Sequence, residues 1–574
     1  MKNNNTPFQF IAFITLCALV VSNSIFSQNA RPVKAKNGMV VSACPIASEV
    51  GSKILQQGGN SVDASVAVGF ALAVTYPYAG NLGGGGFMVL HLKDGTNTSI
   101  DYREKAPIAA HKDMYLDSAG NYVPELSQDG ITSVGVPGSV AGLIYALEKY
   151  GTLSLEKVIQ PAIDLAKNGF SLDESDARSY KYHLREFEKY PSSLKIFSKN
   201  GEPYNEGDLF IQTDLAKTLE EIKYNGRDGF YKGEVADLFI AQVKEMNGYI
   251  THKDLENYKP VERDPIIGSY RDHSIISMGP PSSGGIALVE LLNILENFSI
   301  EKEDWGSSQY INRLVETMKY VYADRTYHLG DEDFYPVPKQ KLISEEYAKT
   351  IFDKLTNYAK PSEEITTQIP VEVKESTETT HYSVYDKEGN AVSVTTTINS
   401  GFGSKIVVEG AGFLLNNEMD DFSAKPGEPN QFGLLGAEAN SIQPEKRMLS
   451  AMTPTIVLKN NKPYIITGSP GGSTIITVVL QVLMNCIDFG MNIQEAVNAP
   501  RIHHQWLPDI IYLEEFAINK DAKENLEKMG YKFGNRNKSF RVLGSAQSIM
   551  IDEETGNIYG AADPRRGKAA AVGF

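Results

Sequence analysis

Strand-forming hairpins stand near both ends of this 574-residue chain, and helical periodicity fills the stretch between them. Towards the N-terminus, "GGGGFMVLHL" and "TNTSIDYREKAP" read as two strands turning over 93–96, with Arg103 near the end of the second. Towards the C-terminus, residues 382–386 and 391–398 are rich in β-branched and aromatic side chains and flank a turn over 387–390, and "PTIVLKNNKPYIITGS" repeats the pattern. From about 140 to 357, segments such as "LEKVIQPAIDLAKNG" and "QYINRLVETMKYVYADRTYHLG" place apolar residues at three- and four-residue steps, and several stop at Gly. Two further helices are expected over 46–57 and 62–75, the second N-capped by Asn60 with Asp63 and apolar almost all round, hence buried. Segregated strands and helices predict packed sheet and helix layers of the α/β (α+β) class rather than strictly alternating βαβ units.

The net charge of −16 carries no basic stripe, which argues against nucleic acid as a partner and against an anionic membrane surface. Lys2, the apolar run 8–21 and the small, polar run 22–28 read as a signal peptide, residues 1–27, cleaved after Ser27. Export to a periplasm or beyond follows. Leu16 before Cys17 argues against a lipid-attachment site, and no later run reaches the roughly 20 apolar residues of a membrane span. With the leader removed only Cys44 and Cys486 remain, so no disulfide framework is expected. No metal-ligand spacing is evident, His503–His504 reads as packing, and no cofactor is implied.

Several glycine-rich runs punctuate the chain. "LGGGGF" opens a strand instead of a helix and "GSPGGST" lacks the lysine of a phosphate loop, so neither holds a nucleotide. "SPGGS" can act otherwise: Gly471 and Gly472 put two backbone N–H groups at a helix start, suited to a developing oxyanion, although on the residues alone a tight strand-to-helix turn is the favoured reading. "PPSSGG" has Pro where a serine-hydrolase elbow needs its first glycine. In "ETTHYSVYD", Thr379 is a weak nucleophile unless a base stands beside it. His381 would share its strand face but point parallel to it. The alternative base is the threonine's own α-amino group, which exists only if the chain is cut before residue 379. Ordinary strand threonines remain the plain alternative. The loop 420–448, with weak periodicity and many Gly, Pro and Asn residues, is long enough to be a cover over a site.

Taken together and in order, "NLGGGGFMVL", "IDYREKAP", "MGPPSSGGI", Thr379-Thr380-His381, "LLNNEMDDFSAKPGEPN", "MLSAMTPTIV", "TGSPGGSTIITVVL" and "NAPRIHHQWLPD" resemble the γ-glutamyltransferase (γ-glutamyl transpeptidase) family from about residue 35 to the C-terminus. The resemblance implies an N-terminal-nucleophile hydrolase with a four-layer αββα core. It implies a precursor cut between Glu378 and Thr379 into a large fragment (28–378) and a small one (379–574) that stay together as a heterodimer. Thr379 would be the nucleophile, Thr397 its hydrogen-bonding partner, and Gly471 and Gly472 the oxyanion donors. Arg103 and Ser450 would hold the glutamyl α-carboxylate, and Glu418, Asp421 and Asn399 its ammonium. Expected substrates are glutathione and related γ-glutamyl amides, with water, amino acids or peptides as acceptors.

Two departures stand out. Ser450 is followed by Ala451 where the family commonly has a second serine, removing one hydroxyl worth about 1 kcal/mol. Phe432 in the long loop replaces a tyrosine of related bacterial enzymes, so the cover loses an O–H donor; faster water exchange and more hydrolysis relative to transfer are expected. Rival readings are a cephalosporin acylase or a poly-γ-glutamate-processing enzyme on the same scaffold, and an inactive exported binding protein. The retained loop favours small amides over the polymer.

Overall fold

The computed structural model describes residues 30–365, 379–431, 433–534 and 542–574. Two antiparallel seven-stranded sheets form its centre. The first runs Ala570–Gly573, Gly38–Ser42, Thr380–Asp386, Ala391–Thr397, Gly85–His91, Asn97–Asp101, Val261–Arg263. The second runs Val33–Ala35, Asn557–Ala562, Gln547–Asp552, Lys462–Thr467, Thr455–Lys459, His273–Ser277, Ile266–Tyr270.

Period-two alternation decides which face of each strand meets which layer. Met39, Val41, Phe87 and Val89 of the first sheet and Ile276, Ile456 and Ile466 of the second share one apolar layer between the sheets. Their neighbours Val40, Met88 and Leu90 point outward onto a helical layer that includes Pro45–Gln56, Ser61–Thr75 and Ser139–Tyr150. Ile275, Val457 and Ile465 point the other way, onto Gly284–Leu295, Ser308–His328 and Ile475–Ile487. The result is an αββα sandwich, as expected. Because both sheets are covered on both faces, their strands are buried on both, which hides the apolar-in, polar-out alternation of a half-exposed sheet.

The capping box at Asn60 is present: its side chain accepts from the backbone of Val62 and Asp63, and Asp63 returns a bond to Asn60 N. One difference concerns the middle of the chain, where three strands, Val261–Arg263, Ile266–Tyr270 and His273–Ser277, interrupt the helices and complete one edge of each sheet. Cys44 and Cys486 are both buried and free. Among the described residues no helix is long and apolar enough to cross a membrane. The expected signal peptide, Glu378 and Phe432 lie outside the described residues.

Candidate functional site

Thr379 immediately precedes the central strand Thr380–Asp386, and Thr397 closes the neighbouring strand Ala391–Thr397. Thr380 pairs with Thr396, so the register brings residues 379 and 397 together at the sheet's end. Their hydroxyl oxygens are 3.4 Å apart, and Asn399 N donates to Thr397 Oγ1 at 2.8 Å. His381 is turned away from this pair, bonded to Thr395 Oγ1 (2.9 Å) and Ser383 Oγ (3.1 Å) between the sheets. Burial drives its pKa down to about 3, so it is a neutral structural imidazole.

Arg103 stands two residues past the strand Asn97–Asp101 and is 1% exposed. Its guanidinium forks onto Glu418 and Asp421, with Nε donating to the carbonyl of Met448 (3.3 Å) and Glu104 lying 3.6 Å away. Burial opposes the charge of Arg103, but Glu418, Asp421 and Glu104 more than offset it and hold the group ionised. The carboxyls feel the reverse balance. Burial pushes Glu104 up to about 8, Asp421 to about 6 and Glu418 in the same direction, with Arg103 pulling each back. Both oxygens of Glu104 and Oε2 of Glu418 lack a hydrogen-bond partner, so burial favours a proton on this carboxyl cluster. Asn399, in the left-handed region that Asn tolerates (φ 74°), donates through its side chain to Asn417 O at 2.9 Å.

Across from this cluster, Gly471 and Gly472 lead into the helix Ile475–Ile487 with φ of 138° and 55°. A φ of 138° at Gly471 is far from any conformation that a side-chain-bearing residue favours, and a Cβ there would lie 2.4 Å from Thr474 Oγ1. The serines of "PPSSGG" are structural: Ser282 Oγ donates to Met452 O and Ser283 Oγ to Ser450 O, each at 2.6 Å, fixing the segment that carries Ser450 and Ala451.

Thr379, Thr397, Asn399, Arg103, Glu418, Asp421, Ser450 and Gly472 thus line one cavity, closed further by Leu434, Leu449 and Met452. Gly471 adjoins it through Gly472. The long loop reaches the cavity through Asp421 and Leu434 and is pinned from several sides. Asn440 Nδ2 donates to Asp421 O (2.7 Å), Gln431 N to Asp420 Oδ2 (2.9 Å), and Lys446 Nζ to Ala439 O (2.9 Å). Sequence reasoning missed Glu104 and Arg325. Arg325 had a signal: on the helix Ser308–His328 it continues the apolar stripe Met318, Val321, Tyr322, where a charged residue is out of place.

An αββα sandwich whose central strand is headed by a threonine, with the mouth of that strand opening into a charged pocket, is the architecture of the N-terminal-nucleophile hydrolases. Within that class the chain belongs to the gamma-glutamyltranspeptidase family, whose pattern it matches over residues 47–573. It is 50% identical to the glutathione hydrolase proenzyme of Escherichia coli (strain K12), over 96% of this chain and 95% of that protein, and 41% identical to that of Bacillus subtilis (strain 168), over 94% and 92%. Among solved structures, the gamma-glutamyltranspeptidase of Helicobacter pylori is 49% identical with a TM-score of 0.55, over 57% of this chain and 93% of that one. A cephalosporin acylase from Bacillus halodurans superposes with a TM-score of 0.83 at 27% identity, over 96% and 98%.

Proposed function

We propose that this protein is an exported, self-cleaving γ-glutamyltransferase that removes the γ-glutamyl group from glutathione and related amides and passes it to water or to amino acids and peptides. The observation that carries the reading is the joint lining of one cavity by a threonine pair and by Arg103, Glu418 and Asp421. A γ-glutamyl donor is a zwitterion at one end and an amide at the other, and this pocket offers matching charge and a nucleophile. That relatives over nearly the whole chain are named proenzymes supports the processing step.

Maturation removes residues 1–27 and then cuts before Thr379. The Thr379 hydroxyl attacks the Glu378 carbonyl, the peptide C–N bond breaks as the ester forms, and water hydrolyses that ester. Fragments 28–378 and 379–574 result, held together because the strand Thr380–Asp386 pairs with Gly38–Ser42 of the large fragment and Ala391–Thr397 with Gly85–His91. The freed α-amine has an ordinary pKa of about 8, close to working pH, and sits on the residue whose hydroxyl it must deprotonate.

In turnover Arg103 releases its carboxylates to the substrate ammonium and takes the α-carboxylate, with Ser450 alongside. Thr379 Oγ1 attacks the γ-carbonyl, the amine passes the proton to the leaving nitrogen, and the N–H groups of Gly471 and Gly472 hold the oxyanion, a contribution of about 10²-fold or more. Water or an acceptor amine then cleaves the ester. Loss of the phenolic O–H at Phe432 favours water as acceptor; Phe432→Tyr is expected to raise the ratio of transfer to hydrolysis. A denaturing gel with a γ-glutamyl anilide assay tests the whole reading. Wild type should show two bands and release the anilide, and Thr379→Ala should show one intact, inactive chain. A single band in active wild-type protein would overturn it, and a single band in inactive protein would favour a binding role.

A further inference from the structure

Five guanidiniums are buried among the described residues, and four of them meet carboxylates: Arg103 on Glu418 and Asp421, Arg263 on Asp101 and Asp333, Arg447 on Asp101, Arg501 on Asp563. Arg325 is the exception. It is 3% exposed and lines the same cavity as Thr379 and Arg103, yet its one hydrogen bond runs from Nε to Ser283 Oγ at 3.0 Å. Its two terminal nitrogens have no protein acceptor among the described residues. A cation taken out of water without a partner is strongly disfavoured, and here burial draws the guanidinium down to about 10. Arg325 therefore stands ready for an anion that enters the cavity.

Its tether indicates which anion. Ser283, which accepts from Arg325 Nε, donates to the carbonyl of Ser450, so the guanidinium is anchored behind the segment 450–451. That is the wall where the donor's carboxylate is read and where Ala451 supplies no hydroxyl. Charge balance agrees. The cavity is lined by Arg103 and Arg325 and by Glu418 and Asp421; a bound zwitterion places its ammonium with the two acidic side chains and leaves both arginines for its single carboxylate. We propose that Arg325 is a second carboxylate-binding residue of the donor pocket, acting with Arg103 on the γ-glutamyl α-carboxylate.

This inference rests on the function proposed above, and the two fail differently. The test compares wild type, Arg325→Gln and Arg325→Lys on L-γ-glutamyl-p-nitroanilide, which carries one carboxylate, and on 4-aminobutyryl-p-nitroanilide, which has the ammonium and amide but no carboxylate. Arg325→Gln is expected to raise KM for the glutamyl donor roughly 10- to 100-fold, as for a lost charge-assisted bond, with kcat changed only a few-fold and the decarboxylated donor unaffected. Arg325→Lys, which keeps a point charge but not the fork, should fall between and serves alone if the Gln variant does not mature. An unchanged KM, or an equal loss on both donors, would show a purely structural arginine. Wild-type protein inert to the glutamyl donor would overturn the function and this role together.

Discussion

Thr379 Oγ1 lies 3.4 Å from Thr397 Oγ1, at the end of two adjacent strands from opposite sides of one turn. The distance exceeds the roughly 2.7–2.8 Å of a good O–H···O bond, a slackness common in sites that tighten only around substrate. Asn399 N already donates to Thr397 Oγ1, so that hydroxyl is oriented and can donate its own proton to Thr379. Removing it with Thr397→Ala should lower kcat by about 10- to 100-fold, as for a hydrogen bond to a group developing charge, while KM stays within a few-fold. Steady-state kinetics on matured protein checks this, and Thr397→Ser should recover most of the rate.

Arg103 should be costly to replace in two separate ways. Arg103→Gln removes the cation that bridges Glu418 and Asp421, and breaking a buried pair by removing one partner costs about 3–5 kcal/mol. The same change removes the fork proposed to meet the donor carboxylate. Thermal melts should therefore show a large drop alongside a KM rise of at least about 10-fold. Arg103→Lys should restore part of the melting temperature and less of the KM, because an ammonium cannot bridge both carboxylates as a guanidinium does.

Donor binding should weaken in acid through Asp421. Burial raises this carboxyl to about 6, Asp420 pushes the same way, Arg103 and Arg325 pull it back, and the neighbouring Glu418 and Glu104 titrate together with it. Its ionised form is the one that attracts an ammonium, so KM for a γ-glutamyl anilide should rise as pH falls through about 6. Asp421→Asn should start from a higher KM and lose that dependence. Measuring KM, not kcat, keeps the result distinct from titration of the Thr379 α-amine proposed as the base.

Much of this architecture is legible in the sequence, and the exceptions have physical causes. The Asn60 cap and the hairpin turning over 387–390 announce themselves because their determinants are local. The strands between Val261 and Ser277 do not, because Pro265, Gly268 and the turn at Arg271–Asp272 break their patterns, and they form only by pairing onto edges supplied by distant segments. The site behaves in the same way. An arginine 276 positions before a threonine, and an acidic pair that begins 39 positions after it, have no local signature, so resemblance was needed to connect them. Arg325 escaped even that, since its role depends on what fails to pair with it.

Glu104 sets a pH slope on stability. In the fold it keeps its proton to about pH 8, against about 4.3 for an unfolded glutamate, because burial disfavours the charged form more than Arg103 favours it. Between those two values the folded state binds the extra proton, so stability contributed at this site falls as pH rises across the window and is lowest above pH 8. Glu104→Gln is always neutral and feels no such slope. The melting temperature of the variant minus that of wild type should increase steadily from pH 5 to pH 9. A difference that stays flat would mean that Glu104 is already ionised against Arg103 at the acid end, and that another carboxyl of the cluster, Glu418 or Asp421, holds the proton.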